Sequence, residues 1–175
     1  SHVGQAAQNG LNCAIMAGEG FKGPANAFDG KWGYLHSYAS GGDILKALDG
    51  LGEKYETLNL GVKPYPSCRY SHAAIDGLIE FKKELNFSLE SLDDVEIGLS
   101  ETALNIIGYP ELDKRNPKSV VDGQFSMAFC AAVALKGDDL TWDDYKTHLG
   151  NSDTLSLCSS IKVNPDEDAE KHCPE

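Results

Sequence analysis

Apolar residues recur at helical spacing from the start of the chain. Ala6, Ala7, Leu11, Ala14 and Ile15 stand at i, i+3 and i+4, which predicts a helix over residues 5–17 that stops at Gly18 and Gly20. Gly23-Pro24 reads as a turn, residues 25–28 as a short helix, and the aromatic, glycine-rich stretch that follows as a loop closing on Gly41-Gly42. Asp43 is placed to cap a short helix carrying Ile44, Leu45 and Leu48. Residues 55–60 carry β-type side chains and lead into Lys63-Pro64-Tyr65-Pro66, a stiff, extended approach because each proline restrains its predecessor.

Ser71 then stands as a cap for "HAAIDGLIEFKKEL", with Ala74, Ile75, Leu78 and Ile79 on one face and Lys82 and Lys83 in the last turn. Val95, Ile97 and Leu99 alternate with period two and predict a half-buried strand. "YPELDKRNPKS" reads as a loop. Asp122 is expected to cap a buried helix, "GQFSMAFCAAVALKG", ending at Gly137, and Thr141 to cap "WDDYKTHL". "LSLCSSIKVN" reads as a second strand, and the tail from Pro165 as a polar, solvated segment. Strands separated by amphipathic helices give an α+β fold, a small sheet packed with helices and preceded by a short all-helical segment. The most natural boundary lies at residues 50–53, and no internal repeat is present.

Composition narrows this picture. The 175 residues are 41% hydrophobic and 24% charged, as expected of a globular domain. The longest apolar run, Met127 to Leu135, is about half of the ~20 residues a membrane span needs, and no signal peptide is visible, so no membrane partner is expected. A formal net charge of -12 and a pI near 4.7 argue against sequence-independent binding of nucleic acid. Five scattered cysteines without zinc spacing suggest reduced thiols and an intracellular setting, cytoplasmic or mitochondrial. The Asn86-Phe87-Ser88 sequon is read as chance. A chain that begins inside a helix without Met is expected to be a fragment, although Ser1-His2 also fits a tag remnant.

Against that acidic background Lys63, Arg69 and His72 gather at the mouth of a helix, where backbone N–H groups and the helix dipole favour an anion. Arg supplies a bidentate fork and Lys a point charge, which together suit a small polycarboxylate. Asp76, four residues after His72, shares its helical face and is expected to orient the imidazole and raise its pKa, as a general acid or base needs. The bland alternative is a solvated basic cluster. Ser71, His72 and Asp76 contain triad residue types, but neighbouring positions cannot set hydroxyl and imidazole as that chemistry requires. His72 and Asp76 as a metal pair lack further ligands, so no metal is expected. His36, His148 and His172 read as surface or capping histidines, and Cys68 as a structural or pocket-lining thiol. Gly18, Gly20 and Gly23 lack the strand and acidic partner of a dinucleotide loop, and the acidic runs at 93–96, 138–144 and 166–170 read as solvated faces.

Three stretches, "HVGQAAQNGLNCAIMAGEGFKGP", "KPYPSCRYSHAAIDG" and "NPKSVVDGQFSMAFCAAVALKG", resemble in order and spacing segments of the MmgE/PrpD family, which includes 2-methylcitrate dehydratases and cis-aconitate decarboxylases. The resemblance implies a large helical domain and a smaller α+β lid with the active site in the cleft between them. Residues 1–50 would then be the end of the helical domain, 51–165 the lid, and 166–175 a polar return segment. It implies Lys63 as the lid lysine facing substrate, with Arg69 and His72 beside it, Cys68 in the same motif, and His2 matching a histidine at the start of a family helix. Catalysis would fall to Lys63 and His72, and substrate binding to Arg69, Lys63, Cys68 and His2. Further family groups, an aspartate and a histidine far upstream and a lysine just before residue 1, would come from elsewhere in a longer polypeptide, so this chain alone is expected to be inactive. The implied chemistry is cofactor-free proton transfer beside carboxylates in a homodimer. 2-Methylcitrate dehydration leads, cis-aconitate decarboxylation and amino-dicarboxylate epimerisation are its neighbours, and a non-catalytic anion- or partner-binding module is the competing class.

Overall fold

The structure is a computed structural model that describes residues 2–39 and 42–173. The expected loop end at Gly41 lies outside the described residues. The chain divides into two compact units, one up to Leu60 and one from Gly61 onward.

The first unit holds α1 (His2–Gly18), α2 (Tyr34–Tyr38) and α3 (Ile44–Ala47). α1 follows the predicted period and turns out at Gly20, whose φ of 92° is left-handed. It buries no residue, and Leu11, Ile15 and Met16 of its apolar stripe are exposed. Asp43 caps α3 by accepting from the Leu45 N–H at 2.9 Å. Two expectations fail here. Residues 25–28 form turns, and among the described residues of that aromatic stretch the helix is α2, inside the expected loop. Residues 55–60 make a short 3-10 helix, Glu56–Asn59; among the described residues the first unit holds no strand that could complete a ladder with them.

The second unit opens with the proline-bearing segment and a 3-10 turn, Arg69–Ser71, and continues through α4 (His72–Leu85), β1 (Val95–Leu99) and α5 (Glu101–Ala103). A π-turn, Leu104–Gly108, α6 (Glu111–Arg115), α7 (Val120–Gln124), α8 (Met127–Gly137), α9 (Asp144–His148) and α10 (Ser152–Ser159) follow. β2 (Ile161–Pro165) pairs parallel with β1, Val95 opposite Ile161 and Leu99 opposite Pro165, and α11 (Glu167–Lys171) closes the order. This is the expected α+β architecture.

α8 is the centre of the core. Met127 through Leu135 are all buried, and the alanines at 128, 131, 132 and 134 let α4, α10 and β2 approach closely. The single expected helix is in fact two. Ser119 caps α7 through the Asp122 N–H, the backbone breaks at Phe125, and Ser126 caps α8 through the Phe129 N–H at 3.0 Å. Asp122 does not cap α8; its carboxylate accepts from the Lys118 N–H. Half of the second expected strand is helix as well. Asn151 accepts from the Thr154 N–H, and the buried pair Thr154 and Cys158 repeats at four, the helical period. The tail to Cys173 is largely exposed, as expected, and forms a capped helix: Asp166 caps α11 through the Asp168 and Ala169 N–H groups, and Glu170 accepts from the Glu101 N–H at 2.7 Å.

Candidate functional site

Residues 63–72 are held from behind by the core. The Pro66 carbonyl accepts from Gln124 Nε2 at 2.9 Å and from the Tyr145 hydroxyl at 3.0 Å, while the Cys68 N–H donates to the Gln124 carbonyl at 2.9 Å. Tyr145 is fully buried and stacks on Phe129, ring centroids 5.9 Å apart, so this anchor is part of the α8 core. Tyr145 lies far along the chain outside any motif, and Gln124 sits within the third motif stretch but 58 residues from Pro66, so spacing tied neither of them to this segment.

On this frame Lys63 is exposed, and its Nζ donates to the Ser67 carbonyl at 2.9 Å. Arg69 is exposed on the 3-10 turn. Among the described residues neither cation forms an ion pair, in contrast to Lys82, which meets Asp138 at 2.8 Å.

Ser71 does not cap α4. Its backbone is already helical, and its buried hydroxyl donates to the Cys68 carbonyl at 2.7 Å and shares a 2.8 Å bond with Ser67. The 3-10 turn also takes up the N–H groups of Ser71 and His72, so the helix mouth offers fewer free donors than a bare N-terminus.

His72 is half-buried, and its Nε2 is buried without a hydrogen-bond partner. Burial holds its pKa below the ordinary imidazole value and outweighs the opposing pull of the Ser67 carbonyl; the charge of Lys63 also lowers it, Asp76 raises it, and Arg69 lowers it least. This corrects the expected upward shift. Asp76 accepts instead from the Tyr65 hydroxyl at 2.5 Å, and Tyr65 packs edge-on against the imidazole, centroids 5.6 Å apart at 79°. Burial and that carboxylate push the Tyr65 phenol up to about 12.

Beside α4 a cavity of about 610 Å³ is lined by Arg69 and His72, by Leu78 and Phe81, and by Glu96 of β1 and His172 beyond α11. Lys63 and Cys68 are not on its wall. Cys68 is buried in the core cluster, and the Cys130 and Cys158 thiols are pushed up to about 12 by burial, which makes them inert. His2 is exposed at the start of α1, in the first unit. His148 bonds Thr154 Oγ1 through Nδ1 at 2.8 Å, and His172 donates through Nδ1 to the Asp168 carbonyl at 2.8 Å. Among the described residues no group of three or more His, Cys, Asp and Glu is placed to hold a metal, and no helix is long and apolar enough to cross a membrane.

A family model described as the MmgE/PrpD C-terminal domain matches residues 65–175. The chain belongs to the MmgE/PrpD family. The match covers α4 through α11 and almost the whole second unit. A curated relative, the cis-aconitate decarboxylase-like protein oryM of Aspergillus oryzae, is 24% identical over 162 residues, covering 86% of this chain and 33% of the relative. The chain thus spans about a third of that relative's length.

Proposed function

We propose that this MmgE/PrpD chain supplies one wall of a carboxylate-binding cleft in a cofactor-independent lyase acting on a small di- or tricarboxylate. The observation that carries this reading is the uncompensated cation pair. In a chain of net charge -12, Lys63 and Arg69 face solvent without a carboxylate partner, and both act on the same imidazole. A bound polycarboxylate would provide the missing negative charge, with the Arg69 fork taking one carboxylate and the Lys63 ammonium another.

Neutralising a carboxylate lowers the cost of the negative charge that builds up beside it when a neighbouring proton leaves or a carbon–carbon bond breaks. His72, whose pKa burial lowers, favours the form that accepts a proton, and Lys63 stands beside it as the second group proposed to move one. The remaining groups of the cleft are proposed to come from other parts of a longer polypeptide. Dehydration of 2-methylcitrate and decarboxylation of cis-aconitate both fit this division of labour; the name of the Aspergillus relative makes cis-aconitate the first substrate to try.

The test is an assay of a polypeptide of the relative's length that carries this segment. Lys63→Ala and Arg69→Ala are each expected to lower kcat/KM by about 100-fold or more toward whichever acid is turned over. Activity of both variants within about twofold of the parent would refute the reading.

A further inference from the structure

We propose that Tyr65 is a positioning residue that keeps the Asp76 carboxylate for itself and so leaves the His72 imidazole without an acidic partner. Helical spacing puts Asp76 within ordinary reach of His72. Tyr65 intervenes, its hydroxyl donating to Asp76 Oδ1 at 2.5 Å and its ring edge-on to the imidazole.

Tyr65 is not free to leave. It is 9% exposed, stands between Pro64 and Pro66, and the Pro66 carbonyl is fastened by Gln124 and Tyr145. Around His72 the charged and titratable groups are Lys63 and Arg69 on the preceding segment, Asp76 on the same helix, and Glu96 and His172 across the shared cavity; Asp139 acts on Tyr65. Of the acidic groups only Asp76 acts on the imidazole. A proton added at Nε2 would meet no acceptor, since that atom is buried and unpartnered. The phenol, pushed up to about 12, stays a donor across the physiological range. The positive charge of the site therefore stays on Lys63 and Arg69, and His72 stays a base.

The chemical use of this arrangement rests on the lyase reading above; the arrangement itself does not. The experiment is an NMR titration of imidazole signals in the 175-residue chain, with His72 assigned by the signal lost in His72→Gln. In Tyr65→Phe the freed carboxylate turns to the imidazole, and the His72 midpoint moves up. Asp76→Asn alone lowers it only by the through-space pull of the charge removed, and the double variant behaves as Asp76→Asn. A Tyr65→Phe curve that superimposes on the parent, or a rise that survives Asp76→Asn, overturns the proposal. A large fall in Asp76→Asn alone also overturns it, however Tyr65→Phe folds. In the full-length polypeptide Tyr65→Phe should carry the acid limb of kcat/KM upward with the titration. If the titration responds and the acid limb does not, the role given to His72 fails and the inference about Tyr65 stands.

Discussion

The Asp76 carboxylate is taken by the Tyr65 hydroxyl at 2.5 Å rather than by the imidazole one helical turn before it. Its position four residues after His72 fixed a shared helical face, but which neighbour takes the carboxylate depended on Tyr65, eleven positions earlier and delivered by a proline-stiffened segment. Ser71 is similar: its type suits a cap, yet burial and the hydroxyl of Ser67 turn it toward the loop. Glycines give the sharpest test at this scale. A Cβ on Gly98 would stand 2.7 Å from Asp166 Cβ, so Gly98→Ala must displace the α11 cap and is expected to cost about 1–3 kcal/mol in denaturant unfolding. Gly77, within α4, meets nothing within 4 Å, and Gly77→Ala is expected to stabilise by about 0.5–1 kcal/mol.

Elements were legible where a long period repeats and obscure where a cap decides. α4 and β1 followed their patterns because one face of each is buried over several repeats. α8 is apolar all round, so no periodicity marked its start, and Ser126 set the boundary. "LSLCSSIKVN" contains both periods, and only the Asn151 cap decides that its first half coils. The elements also explain how the core fixes the site. Tyr145→Phe removes one of the two donors to the Pro66 carbonyl without creating a cavity; stability is expected to fall by about 0.5–1.5 kcal/mol, measured as the urea midpoint.

For the whole molecule, three motifs made the family readable before any coordinate: one on α1, one on the segment leading into α4 and one on α7–α8, of which the last two fall almost wholly within the residues 65–175 that the family model matches. The loop anchors and the pairing of Tyr65 with Asp76 were not readable, since they join residues distant in the chain. Stability should carry a histidine signature. His72 and His148 are both held below the ordinary value of 6.5, chiefly by burial, so the unfolded chain binds more protons as pH falls through that value. Their contribution is complete above it and is lost on acidification toward the folded values. The urea midpoint is expected to drop between about pH 7.5 and about pH 5.5, and to drop less in the double variant His72→Asn, His148→Asn.

The central claim, that Lys63, Arg69 and His72 together receive carboxylates, is most directly tested by titrating cis-aconitate into the isotope-labelled chain and following its NMR signals. Saturable shifts at millimolar ligand are expected, confined to residues 63–76 and the facing cavity wall and abolished in the Lys63→Ala, Arg69→Ala double variant. Shifts scattered over the surface, or equal in that variant, would contradict it.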